Sequence, residues 1–212
     1  MPLNRKQHWE KVYATNASTE VSWYQANPQT SLELITSTGL GQSGKIIDVG
    51  GGASLLVDKL LDQGCAHLTV LDISSKAIEY AKERLGEFSK KVTWIVSDIT
   101  EFTPSSTYDL WHDRAVFHFL TAPKDREKYI EVMTKAVRPG GHIIIAAFAL
   151  DGPPQCSDLD VERYDCAKLK KELGGHYEFI AKADEEHVTP GQSKQKFLYC
   201  CFKRRMYTHD SC

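Results

Sequence analysis

Short apolar runs alternate with amphipathic stretches through the middle of the chain. Lys45–Val49 is a compact apolar run that ends in glycines. Ser54–Leu61 follows with Leu55, Leu56, Leu60 and Leu61 at helical spacing. His67–Ile73 reads as a second strand. Ser74 or Ser75 can cap a helix over Lys76–Leu85, which Gly86 ends. Val92–Val96 and Tyr108–Trp111 read as the third and fourth strands. Asp125–Val137 reads as a helix stopped by Arg138-Pro139-Gly140-Gly141, and the nearly all-apolar His142–Phe148 as a buried fifth strand. Strand-helix alternation implies right-handed crossovers and a mostly parallel sheet. The tail differs. A helix over Asp165–Leu173 precedes two strands, Tyr177–His187 and Lys196–Lys203, separated by a short turn at Thr189-Pro190-Gly191-Gln192. So short a connection demands an antiparallel pair. Residues 1–40 read as a helical lead-in: His8–Tyr13, a Trp23-Tyr24 patch, then Gln29–Thr38.

Composition narrows the class. The 212 residues suit one domain with its own core, here an N-terminal helical lid segment at 1–40 and a ligand-binding domain at 41–212. A net charge of −2 and the lack of a basic block argue against a nucleic-acid partner. No apolar run is long enough to span a membrane, and the first residues lack a secretory h-region, so a cytoplasmic address is expected. Cysteines at 65, 156, 166, 200, 201 and 212 form no Cys-x-x-Cys, so reduced thiols and no metal site are expected.

The informative segment is Ile46-Ile47-Asp48-Val49-Gly50-Gly51-Gly52-Ala53-Ser54. Glycines between a strand and a helix permit positive φ and a close backbone approach to a ligand. The next helix presents free N–H groups. Asp72, followed by Ile73, closes the second strand 20 residues beyond Gly52, where a carboxylate can accept from a ribose diol. Asp98, followed by Ile99, closes the third. These strand ends converge on the carboxyl edge of the sheet, where ligands bind. A dinucleotide fingerprint from Gly50 fails at its third glycine, which is Leu55. Asp48 has no role toward a pyrophosphate but suits a cation. S-adenosylmethionine, with its carboxylate, ammonium, sulfonium and adenosine, fits this lining better.

On these motifs the sequence resembles the class I S-adenosylmethionine-dependent methyltransferases from Lys45 to Lys203. Ile46–Ser54 corresponds to the family's first motif, Asp72 to its ribose acid and Asp98 to the acid near the adenine amino group. Val137–Gly141 matches its turn before strand five, and the terminal hairpin its strands six and seven. Ser54 stands where many members carry a further glycine. The resemblance implies a Rossmann-like α/β fold with helices on both faces and a seven-stranded sheet of order 3-2-1-4-5-7-6, strand 7 antiparallel. It also implies S-adenosylhomocysteine as product. Asp113-Arg114-Ala115 after strand four resembles the Asp-Lys/Arg-Gly/Ala type, which includes the lysine methyltransferases of citrate synthase and elongation factors. The His8–Tyr13 and Trp23-Tyr24 stretches resemble these and the thiopurine-type small-molecule methyltransferases alike.

Methyl transfer is an in-line displacement that needs alignment, exclusion of water and, for a protonated nucleophile, a proton acceptor. Asp113 is placed to orient an amine or contact the cofactor. His118 is either a proton acceptor or a helix-face histidine without a chemical role. Arg114 either holds an anionic substrate group or pairs with a carboxylate. Trp23 and Tyr24 either wall the substrate or pack the N-terminal segment onto the core. Phe148 can line the same pocket. Arg163 either binds a carboxylate or phosphate or stays solvated. The turn flanked by His187 and Gln195 either covers the cleft or is a plain hairpin. The expected activity is methylation of a protein lysine or a small molecule, in a chain whose monomeric state is plausible. The alternatives are a catalytically silent cofactor-binding subunit and a nucleotide-dependent oxidoreductase, the latter opposed by Leu55 and the antiparallel finish.

Overall fold

The computed structural model describes residues 4–206. Its main sheet has seven strands: β1 (Lys45–Val49), β2 (His67–Asp72), β3 (Val92–Val96), β4 (Tyr108–Arg114), β5 (Val137–Phe148), β8 (Tyr177–Val188) and β9 (Lys194–Arg204). Their spatial order is β3-β2-β1-β4-β5-β9-β8. β1 to β5 run parallel, and β9 enters antiparallel between β5 and β8. A two-residue ladder, β6 (Gln155–Cys156) with β7 (Leu159–Asp160), stands apart. With that ladder set aside, the order is the expected 3-2-1-4-5-7-6.

Alternation along the strands builds two cores. Ile47, Trp111, Ile143, Ile145 and Cys200 face one, with Tyr129 and Met133 of α5 (Pro123–Ala136) and Leu169 of α6 (Cys166–Leu173). Ile46, Leu110, Ile144, Ala146 and Tyr199 face the other, with Ile35 of α2 (Gln29–Ser37) and Leu56 and Leu60 of α3 (Leu56–Asp62). Edge strand β8 shows the alternating half-burial of a one-sided strand.

Side chains cap the helices where the sequence offers them. Asn4 caps α1 (Arg5–Thr15), Ser74 caps α4 (Ser75–Leu85) and Asp165 caps α6, each accepting a backbone N–H one turn on. Two strands differ from expectation. β4 runs three residues past Trp111, because His112 and Asp113 are polar yet buried with internal partners. β5 starts at Val137, which pairs with Tyr108 ahead of a register shift, so the expected turn at 138–141 is absorbed into the strand. The five described cysteines are free thiols; Cys212 lies outside the described residues.

α1 lies against the N-terminal end of α4, and Glu10 makes the join. Its carboxylate accepts from Ser75 N (2.8 Å), Ser74 Oγ (2.9 Å), Ser75 Oγ (3.0 Å) and Lys76 N (3.2 Å). Partial burial opposes ionisation, but these donors outweigh it and hold the pKa below the usual value. A carboxylate at a helix N-terminus also meets the positive end of the helix dipole. Glu10→Ala is expected to cost about 1–2 kcal/mol, lowering the melting temperature by about 2–8 °C. Urea denaturation and a thermal scan check this.

Candidate active site

The parallel strands deliver their carboxyl ends to one edge, and β9, being antiparallel, brings its first residues to that same edge: Phe197 pairs with Phe148 at the end of β5. A cavity enclosing about 800 Å³ of open space, its mouth included, runs along this edge. Val49 and Gly50 line it from β1, Leu71, Asp72 and Ile73 from β2, and Ser97, Asp98 and Ile99 from the loop after β3. Arg114, Ala115 and Val116 line it from the end of β4, and Gln195 and Phe197 from β9. Trp9, Tyr13, Trp23, Phe119, Leu120 and Cys156 close the far side.

The glycine loop fits its neighbours closely. Gly50 has φ +69°, and a Cβ there would collide with Val116 Cγ2. Gly52 has φ +31°, and a Cβ there would stand 2.5 Å from Asp72 Oδ2. Asp72 is only 6 % exposed. Its Oδ1 accepts from Ser74 N at 2.8 Å. Burial, reinforced by the Asp48 and Glu10 charges, pushes its pKa up to about 7 against the pull of the Ser74 N–H. Asp98 Oδ1 accepts from Thr100 N and Thr100 Oγ1, both at 2.8 Å, while Oδ2 stands 3.6 Å from Arg5 Nη1. One carboxylate per strand end, on successive strands, suits the hydroxyl and amino donors of a nucleoside.

The opposite wall is aromatic. Trp9 packs edge-on against Phe119 (5.0 Å between centroids) and Trp23 (5.7 Å), and Tyr13 against Trp23 (6.0 Å). Arg114 stacks over Phe197 at 4.3 Å. Its guanidinium donates to Tyr199 Oη (2.9 Å), Trp23 O (3.2 Å) and Glu185 Oε1 (3.3 Å). It thereby ties the Trp23 segment to the sheet, the pairing alternative rather than a free anion-binding group.

Of the candidate residues, Gly50, Asp72, Ile73, Asp98, Ile99, Trp23 and Arg114 come together around this cavity. Asp48, Gly51 and Tyr24 line a smaller pocket behind the loop. Asp48 Oδ1 meets His112 Nδ1 at 2.7 Å, and His112 Nε2 meets Ser31 Oγ at 2.9 Å. Gly52 lies beneath the Asp72 carboxylate.

Four expectations are corrected. Asp113 is fully buried and does not line the cavity. Its carboxylate accepts from Tyr129 Oη (2.6 Å), Val116 N (2.8 Å) and Phe117 N (3.1 Å). These bonds secure the turn after β4, in which Ala115 takes φ +73°, an uncommon conformation outside glycine. His118 is also fully buried. Burial, with the nearby Arg114 charge, drops its pKa to about 3, so the ring is neutral and out of reach of the cavity. Phe148 packs behind Phe197 at 4.8 Å. Arg163 donates to Gly152 O at 3.1 Å and anchors its own loop.

Lining residues that the sequence did not single out for the site include Trp9, Tyr13, Cys156 and Phe197. Trp9 and Tyr13 sit four apart on one face of α1, a signal that was available. Cys156 arrives through the β6–β7 turn, whose Ser157 and Asp158 both have positive φ (49° and 61°); its sequence offers no glycine to mark it.

Asp113 makes one testable demand. Tyr129 Oη accepts from Trp111 Nε1 (2.8 Å) while donating to Asp113. Tyr129→Phe strands both groups and is expected to cost about 1–3 kcal/mol. Burial raises the Asp113 pKa to about 6, and the Tyr129 hydroxyl is the main opposing influence. That hydroxyl favours the charged form, so the deficit should be larger at pH 8 than at pH 5. Denaturation at the two pH values reads it.

Residues 47–143 match the model of a methyltransferase domain. A probable thiol methyltransferase 2 of Arabidopsis thaliana is 26 % identical over 203 residues, covering 92 % of this chain and 85 % of that one. Nodulation protein S of Rhizobium tropici is 25 % identical over 114 residues, 54 % of this chain; the chain spans 47 % of that relative's length. The N-methyltransferase NodS of Bradyrhizobium japonicum WM9, solved with S-adenosyl-L-homocysteine, superposes with a TM-score of 0.71 at 19 % identity, over 95 % of this chain and 99 % of that one. These similarities in sequence and in fold support a class I S-adenosylmethionine-dependent methyltransferase.

Proposed function

We propose that this methyltransferase moves the methyl group of S-adenosylmethionine to a small, uncharged, mostly apolar acceptor, with a thiol as the reacting group. The observation that carries the reading is the make-up of the cavity: strand-end carboxylates on one side, an aromatic chamber on the other, and neither histidine nor lysine in its lining. Asp72 would accept from the ribose hydroxyls, Asp98 would take the adenine end, and Ile73 and Ile99 would flank the base. Gly50 lets the backbone come close beneath the amino-acid end. The cofactor, when bound, supplies an electrophilic sulfonium methyl. Aromatic faces of Trp9, Trp23 and Phe119 exclude water and favour a cationic centre beside them.

With Asp72 and Asp98 committed to the cofactor, and neither histidine nor lysine in the lining, the lack of a further base selects the nucleophile. An amine near pKa 10 needs a base, and His118, buried and neutral, cannot serve. A thiol ionises at about pH 8.5, well below an amine, and is reactive as the thiolate, so positioning alone suffices. The similarity to the plant thiol methyltransferase points the same way. Methylation of a protein lysine is the second reading, on the strength of Asp113-Arg114-Ala115.

The test uses methyl-labelled S-adenosylmethionine with benzenethiol or with lysate protein. Organic-extractable label from benzenethiol is expected. Label in acid-precipitable protein alone would overturn the thiol reading in favour of lysine. No label in either, with cofactor binding intact, would favour a silent subunit.

Asp72 adds a pH signature. A carboxyl raised to about 7 in the fold binds a proton that the unfolded chain has released above about pH 4. The unliganded fold therefore loses stability as pH rises through 7. Hydroxyl donors from ribose favour the ionised form. Cofactor affinity is thus expected to climb, by up to about tenfold per unit, from pH 5 to 7 and to level off above. Asp72→Asn should bind weakly and with little slope. Calorimetric titration with S-adenosylhomocysteine across that range checks both.

A further inference from the structure

We propose that Gln195 is the polar subsite of the acceptor chamber, its side-chain carbonyl accepting a hydrogen bond from an N–H or O–H of an uncharged acceptor molecule. The inference rests on the reading above that this chamber holds the acceptor. Four buried side-chain polar atoms among the described residues lack a protein partner: His8 Nε2, His118 Nε2, Tyr164 Oη and Gln195 Oε1. Only Gln195 belongs to a residue that lines the cavity. It is 8 % exposed. An unpaired buried acceptor costs about as much as a hydrogen bond is worth, so the fold gains nothing from keeping it there unless something else pairs with it.

Its position follows from β9. Gln195 and Phe197 are two apart and share a face of the strand, and both reach the cavity. Tyr199, next on that face, holds Arg114 Nε. The other polar groups near this end are already engaged. Arg114 serves Tyr199, Trp23 O and Glu185. His187, opposite Gln195 in the ladder, meets Ser22 O through Nε2 at 2.7 Å. Of these groups the Gln195 carbonyl is the one without a partner.

The surroundings set the class of molecule. Asp72 and Asp98 line the cofactor side of the same cavity and would oppose any anionic group beyond the thiolate that meets the sulfonium. Arg114 over Phe197 opposes a cation at the β9 end. Between them, aromatic walls with one carbonyl select a compact apolar skeleton bearing a single donor, placed away from the thiol that is methylated. A site built to pair with a donor discriminates against the analogue that lacks it.

Phenol and toluene serve as probes, one with the donor and one without. Each is titrated by calorimetry or ligand-observed NMR into protein saturated with S-adenosylhomocysteine, as wild type, Gln195→Leu and Gln195→Met. Phenol is expected to bind the wild type about 5- to 10-fold more tightly than either variant, the worth of one hydrogen bond. Toluene should bind the variants at least as well as the wild type, and their melting temperatures should not fall, since an unpaired polar atom has been removed. Equal phenol affinity in all three proteins would overturn the proposal. So would parallel losses of phenol and toluene, or no phenol binding to the wild type. Methylation of benzenethiol is read separately: its failure beside a Gln195-dependent phenol affinity would sink the thiol reading and leave the subsite standing.

Discussion

The grip of one buried carboxylate sets the geometry of the cleft. Asp113, at the end of β4, collects Val116 N, Phe117 N and Tyr129 Oη. Those bonds allow Ala115 its left-handed conformation and turn the chain sharply out of the sheet. Val116 then packs onto Gly50, where a Cβ would collide with it. The glycine loop and the turn after β4 are thus fitted to each other at the point where β1 lies between β2 and β4, the place in the sheet where the chain changes direction of travel. Asp113 acts by positioning. Burying an ionisable group is costly unless its oxygens are paired, and here two backbone N–H groups and the α5 tyrosine provide the pairing.

The N-terminal segment completes the site from the other side. Glu10 fixes α1 to the start of α4, and Arg5 reaches Asp98 and Asp125. Arg114 holds the backbone of Trp23 from the sheet side. The aromatic wall is therefore held by charged groups at its ends, while Trp9, Tyr13, Trp23 and Phe119 pack edge to face in between. The charges are consumed in holding the wall, and the proposal of an uncharged acceptor rests on that division.

The β1–β5 core was legible because each strand is an apolar run bounded by glycine, proline or a capping residue. The acids Asp72 and Asp98 were legible because each closes such a run. The end of β4 was not. His112 and Asp113 are polar residues that only the fold pairs, with Asp48 and Ser31 in one case and with Tyr129 in the other. Local pattern cannot supply partners 16 to 81 residues away. The same limit misplaced His118 and Phe148, expected at the pocket and wholly internal in the fold. Trp9 and Tyr13 were readable from their spacing on α1. Gln195 appeared in the sequence only as a residue beside a hairpin turn; its proposed role depends on β9 entering antiparallel, which carries that turn to the ligand edge.

A crystal structure with S-adenosylhomocysteine bears most directly on the central claim, that the carboxyl edge holds the cofactor against an aromatic acceptor chamber. The account requires the ribose hydroxyls on Asp72, the adenine beside Asp98 and Ile99, and the homocysteine sulfur facing the space between Trp9, Trp23 and Gln195. A ligand bound elsewhere, or one whose sulfur faces away from that chamber, would contradict it.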